Sequence, residues 1–273
     1  MTPARALKSG SNWRSEVSLM RYAKNSVVIQ IDRDIPLLQQ VRNSKFTSHD
    51  QLFELMTFSG YECSRDSFGW RVRRLLKAGF LSIFEGALGS ESAVYRITYN
   101  GIALLEHHGR FTTVLHSKTK HLPHTSQVFH SLELNRIHLA LARQNFLVSW
   151  QSEIEVASFN TISCAPYQKD YDAIVDVWIG EKTARFALEY ERCLKSYRHY
   201  DRIRAALEAE RQVGWILFLT SGMEVLVHLV HELDPVGNKV AFANARDFER
   251  MLLDTRVVTT RNLAGTNFRE LLQ

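Results

Sequence analysis

Apolar residues recur along this chain with two periods, and the switch between them marks out its elements. From Asp34 onward, Ile35, Leu37, Leu38 and Val41 keep helical spacing and predict a first helix. Thr47-Ser48 opens a second, Gln51 to Met56, with Leu52, Phe53 and Leu55 available for packing. Ser64-Arg65-Asp66-Ser67 offers N-capping side chains for a third, Phe68 to Ala78, and Gly79 stands where a helix-ending glycine belongs. The pattern then turns strand-like over Phe80 to Phe84 and Ala93 to Thr98, around a glycine-bearing tip, Glu85 to Glu91. Residues 34–108 therefore read as three helices and a hairpin. Residues 1–33 read as an arm that packs on something or dimerises, with Ser15 to Tyr22 a short helix and Val27 to Ile31 a short strand.

Residues 109–126 are polar, carry Lys118, Lys120 and Pro123, and sustain no period, so they read as a linker. Beyond them Ser126 to Asn145 predicts a helix, with Val128, Leu132, Leu134, Ile137 and Leu141 at helical spacing. Phe146 to Val156 reads as extended. After a loop containing Pro166 come two short apolar runs, Tyr171 to Ile179 and Arg185 to Glu191, about the polar turn Gly180-Glu181-Lys182-Thr183. They predict neighbouring strands of one hairpin. A charged helix, Leu194 to Gln212, precedes the nearly continuous apolar run Gly214 to Thr220, the mark of a buried strand. Met223 to Glu232 predicts a helix, Val240 to Ala243 a strand and Arg246 to Leu253 a last helix. Residues 127–273 thus predict a mixed sheet flanked by helices, and the chain as a whole is α+β.

Charge sharpens this outline. The 273 residues carry a formal net charge of +5, with a pI near 9.1, which suits a polyanionic partner. Three helices followed by a hairpin is the winged helix-turn-helix plan, and the third helix is the one such a fold presents to a DNA groove. That helix carries Arg65, Arg71, Arg73, Arg74 and Lys77, residues able to bind phosphates or grip guanine edges of double-stranded DNA. Cys63, Cys164 and Cys193 are odd in number and lack metal-ligand spacing, which fits a reducing cytoplasm. No apolar run of about 18 residues predicts a membrane span, and the N-terminus lacks the apolar core of a signal peptide. His107, His108, His116, His121, His124, His130 and His138 crowd in and around the linker, without the spacing of a zinc site, and read as solvated histidines.

The candidate chemistry lies on the predicted hairpin. Side chains alternate along a strand, so Glu189 and Glu191 share a face. Antiparallel pairing brings Asp172 opposite that end. Three carboxylates at close range repel, and a bound hard cation is the usual remedy.

This order of strands, with an acid opening one and acid-x-acid ending the next, resembles the restriction-endonuclease-like PD-(D/E)xK nucleases. One departure matters: the motif lysine is replaced in Glu189-Tyr190-Glu191, and Lys195 is the residue expected to return its charge. The segment Tyr95 to Leu105 (YRITYNGIALL) resembles the ending of winged-helix domains. Both halves together resemble the replication-relaxation family, and within it the MOB-C class of plasmid relaxases, over roughly residues 34–220. The resemblance implies a site-specific nicking endonuclease that mobilises or replicates a plasmid or integrated element. In it Asp172, Glu189 and Glu191 would hold a Mg²⁺ or Mn²⁺ ion, which activates water and steadies the leaving oxygen. Glu153 would be a fourth acid, and Tyr197 and Tyr200 would approach the phosphate without acting as nucleophiles. The His-hydrophobic-His motif of ordinary relaxases is missing, since His228 and His231 have the wrong spacing. A second reading is a DNA-binding regulator whose nuclease-like domain is catalytically silent and serves dimerisation or ligand sensing; the missing lysine favours it.

Overall fold

The computed structural model describes residues 28–85, 92–113, 124–237 and 239–273. The predicted helix Ser15 to Tyr22 and most of the tip Glu85 to Glu91 lie outside the described residues.

The N-terminal unit opens on α1 (Ile31–Ser44), β1 (Thr47–Ser48), α2 (His49–Phe58) and α3 (Arg65–Lys77). It continues with β2 (Leu81–Ile83), β3 (Val94–Ile97) and α4 (Tyr99–His107). Its sheet is antiparallel in the order β1-β3-β2. Leu37, Leu38, Val41, Leu52, Phe68, Val72, Leu75 and Leu105 form its core. Helical spacing selects Leu37, Leu38, Val41, Leu52, Val72 and Leu75, whereas Trp70, expected on the core face of the third helix, is 56% exposed. Ser48 and Gln51 close a capping box at the start of α2, and the Ser64 side chain caps α3. The strand expected over Val27 to Ile31 is corrected at its end. Ile31 already belongs to α1, where acidic Asp32 and Asp34 favour a helix start and Asp34 accepts the Gln30 N–H at 2.7 Å.

The C-terminal unit begins with α5 (Thr125–Arg143), β4 (Leu147–Ser152), α6 (Glu153–Ile162), β5 (Ala173–Ile179) and β6 (Lys182–Glu191). Then follow α7 (Tyr197–Ala209), β7 (Trp215–Thr220), α8 (Met223–Glu232), β8 (Val240–Asn244), α9 (Ala245–Met251), β9 (Arg256–Thr259), β10 (Asn262–Asn267) and α10 (Phe268–Leu272). Seven strands form one mixed sheet in the order β10-β9-β8-β7-β6-β5-β4. The β6-β7 and β7-β8 pairs are parallel and the others antiparallel. Alternation sends Val175, Phe186, Leu188 and Leu217 to one face, against Ile137, Phe248 and Phe268. Ile174, Ala187, Ile216 and Phe218 go to the other, against Tyr200, Ile203 and Leu229.

Three expectations are corrected here. The extended segment stops at Ser152, because the Glu155 carboxylate accepts the Ser152 N–H at 2.9 Å and its hydroxyl at 2.8 Å, and α6 begins. Glu153 therefore lies on a helix rather than a strand. The chain also continues past Leu253 into β9, β10 and α10. Finally, the charged helix begins at Tyr197 instead of Leu194.

Helix α5 joins the two units. Its Val128 and Leu132 pack with Phe46, Phe84 and Val94. Asn135 Nδ2 donates to the Phe46 carbonyl at 2.9 Å, and Gln51 Nε2 to the Leu132 carbonyl at 2.8 Å. Among the described residues no helix is long and apolar enough to cross a membrane.

Candidate functional site

Pairing of Ala173 with Leu188 sets Asp172 beside the end of β6, next to Glu189. The Asp172 carboxylate is held from two sides. Its Oδ2 accepts the Tyr190 N–H at 2.8 Å, and Oδ1 lies 3.1 Å from His130 Nε2. Glu189 and Glu191 are 4% and 3% exposed. Lys169, in the loop before β5, forms an ion pair with Glu189 Oε1, and Lys195 forms one with Glu191 Oε1. The Lys195 N–H donates to the Tyr200 hydroxyl at 3.1 Å, which anchors the loop leading into α7.

The charges of this cluster act on one another. Burial, reinforced by the charges of Asp172 and Glu191 and opposed by Lys169, pushes the Glu189 carboxyl up to about 7. For Asp172, burial works upward too. The hydrogen bond and charge of His130, the charge of Lys169 and the Tyr190 N–H outweigh it and hold this carboxyl below its ordinary range. His130 is raised: burial works downward, but Asp172 and Glu153 outweigh it, against a smaller opposing effect of Lys45. Lys195 is raised as well, because Glu191, Glu189 and Asp172 overcome its burial.

By donor chemistry these acids fit a hard divalent cation. They offer carboxylate oxygens, and the buried Glu189 Oε1 has the Lys169 ammonium against it, where a cation would sit. By arrangement they are still engaged elsewhere. Among the described residues no three His, Cys, Asp or Glu side chains stand where they could hold one metal ion together. Each acid has a base of its own.

Two residues of this cluster escaped the sequence reading. Lys169 lies only three positions before Asp172, so the signal was local. His130 was grouped with solvated linker histidines. That grouping is corrected for His130 and His138, both on α5. His138 stacks on Trp150 with ring centroids 4.4 Å apart and 2° between planes. Glu153 pairs with Lys45 of the N-terminal unit. Tyr200 is fully buried against His228, so it faces the core and cannot meet a phosphate, whereas Tyr197 is 66% exposed.

The basic helix divides into two sets. Arg71 is 2% exposed, its guanidinium held by Glu62 at 2.6 Å and Asp34 at 3.1 Å. Arg74 is bound by the same Asp34. Arg71 is therefore removed from the DNA-facing set, and Arg74 is largely spent on the fold, because α3 presents them to buried carboxylates of α1 and the loop after α2. Arg65, Arg73 and Lys77 remain exposed, with Trp70 between them. Arg65 is itself paired with Asp50 at 2.7 Å.

The family model described as replication-relaxation matches residues 38–212, more than half of the chain and every member of the acid cluster. The chain belongs to the replication-relaxation family. No curated protein sequence matches this replication-relaxation protein. Among solved structures it is similar to the restriction endonuclease FokI, at 9% identity and a TM-score of 0.28, over 81% of this chain and 43% of that one. It is also similar to FokI bound to DNA, at 12% identity and a TM-score of 0.26, over 80% and 43%. The replication-relaxation chain spans less than half the length of these structures, and overlap at such scores carries no conclusion about its chemistry.

Proposed function

We propose that this replication-relaxation protein is a DNA-binding, divalent-metal-dependent nicking endonuclease of the MOB-C relaxase kind, acting in mobilisation or replication of a plasmid or integrated element. The observation that carries the reading is the gathering of half-buried Asp172 with the buried Glu189 and Glu191 at one end of the β5–β6 hairpin, with Glu189 raised to about 7. Crowding like charges out of water is costly, and such perturbed groups cluster at working sites.

Asp172 and Glu189 would hold Mg²⁺ or Mn²⁺, with Glu191 beside them. When bound, the cation supplies charge neutralisation at the phosphate and the leaving oxygen, and activates water. Binding it requires Lys169 to leave Glu189. Lys195, steadied by Glu191 and by its backbone bond to Tyr200, takes the part of the motif lysine, with its ammonium available to the charge that develops on the phosphate. DNA is engaged by the N-terminal unit acting as a winged helix, through the exposed Arg65, Trp70, Arg73 and Lys77 of α3.

The test is nicking of supercoiled DNA carrying the cognate site in Mn²⁺, by the wild-type chain and by Glu189→Ala. A loss of about 100-fold or more in the variant is expected, about 3 kcal/mol of transition-state stabilisation. Equal nicking would remove the acids from the mechanism. Tight DNA binding by a wild-type chain that never cuts would leave the silent regulator.

A further inference from the structure

We propose that His130 is a positioning residue, which fixes the orientation of the Asp172 carboxylate. This inference rests on the reading of Asp172 as a metal-holding acid. An aspartate's terminal torsion is soft, so a carboxylate held through one oxygen only is free to turn. In this chain both oxygens are held, by donors from different elements. The Tyr190 N–H belongs to the sheet and holds Oδ2 at 2.8 Å. His130 Nε2 belongs to α5 and lies 3.1 Å from Oδ1.

The surroundings suit a rigid post. The imidazole lies against the Tyr190 ring, with centroids 5.5 Å apart and planes tilted by 33°. The side chains of His130 and Asp172 are 27% and 14% exposed, so the contact is sheltered but open on one side. That side is a pocket lined by Lys45, His138, Trp150 and Glu153 together with His130 and Asp172. The helix that delivers His130 is itself anchored a few residues away, through Val128 and Leu132 in the apolar contact with Phe46 and through Asn135 on the Phe46 carbonyl. A donor on a helix pinned at both flanks holds its acceptor more sharply than one on a loop. No sequence motif records the pair, which lies 42 positions apart.

The experiment compares wild type, His130→Ala and His130→Gln as full chains. Manganese affinity is measured by titration calorimetry, DNA affinity without metal by fluorescence anisotropy, and the Asp172 orientation by metal-free crystal structures. Loss of an outer partner of a metal ligand typically weakens metal binding about 10- to 100-fold, and that loss is expected for His130→Ala. Glutamine retains a donor, so His130→Gln should recover most of the affinity, while both variants bind DNA as wild type does. In His130→Ala the Asp172 carboxylate should turn away from its wild-type orientation. Wild-type manganese affinity in His130→Ala, an alanine variant with Asp172 unmoved, or no recovery by glutamine would each overturn the proposal. If the wild-type chain itself binds no manganese, the metal reading falls, and the Asp172 orientation in His130→Ala still decides the role of His130.

Discussion

Arg71 and Arg73 stand two positions apart on α3 and have opposite roles. Arg71 is sealed between Asp34 and Glu62, and removing it leaves two buried carboxylates short of their counter-charge. Arg71→Ala should therefore cost about 3–5 kcal/mol in urea unfolding. Arg73→Ala should stay within about 0.5 kcal/mol of wild type yet weaken DNA binding and flatten its salt dependence. The sequence offered both as DNA contacts, since the acids that claim Arg71 lie 37 and 9 positions away. Helical spacing alone puts Arg71 beside Phe68 and Leu75, and that was the readable warning. Glu189 yields a prediction in pH. Its carboxyl titrates near 7 in the folded chain against 4.5 when unperturbed, so folding favours the protonated form. That stabilisation is complete below about 4.5 and is lost as pH rises through about 7, at no more than about 1.4 kcal/mol per pH unit. Metal-free wild type should lose stability between pH 5 and pH 8 relative to Glu189→Gln, measured by urea unfolding at the two values. Parallel pH profiles would place Glu189 in an ordinary solvated setting.

The elements most legible in the sequence were those with a strong period and a marked end. The β5–β6 hairpin declared itself by two apolar runs about a turn in which Gly180 takes φ +62°, a conformation that glycine adopts without strain. Asp172, Glu189 and Glu191 followed from that pairing. The missed elements have local causes. Helix α6 was hidden behind an apolar segment that looked extended, although Ser152-x-x-Glu155 is a capping-box signature. Glu155→Ala should remove both bonds to Ser152 and cost about 1 kcal/mol, read as a lower midpoint in thermal unfolding. Strand β10 was missed because it is a polar edge strand with a register shift and with Leu263 68% exposed. Such a strand has one open side and little alternation to read.

Across the whole molecule, the passage from helices and a hairpin to a mixed sheet was readable from the change of period, while the contacts between the two were not. The junction depends on contacts such as Asn135 to Phe46, 89 positions apart, and Lys45 to Glu153, 108 apart, which no local pattern encodes. The same nonlocality hid His130, 42 positions from Asp172. The proposed metal site depends on Glu189 exchanging Lys169 for one divalent cation that Asp172 also holds. Anomalous diffraction from crystals soaked in manganese tests this most directly. The prediction is a single peak about 2.1 Å from oxygens of both residues, with the Lys169 ammonium moved away from Glu189. No peak at that position, with Lys169 still paired to Glu189, would contradict it.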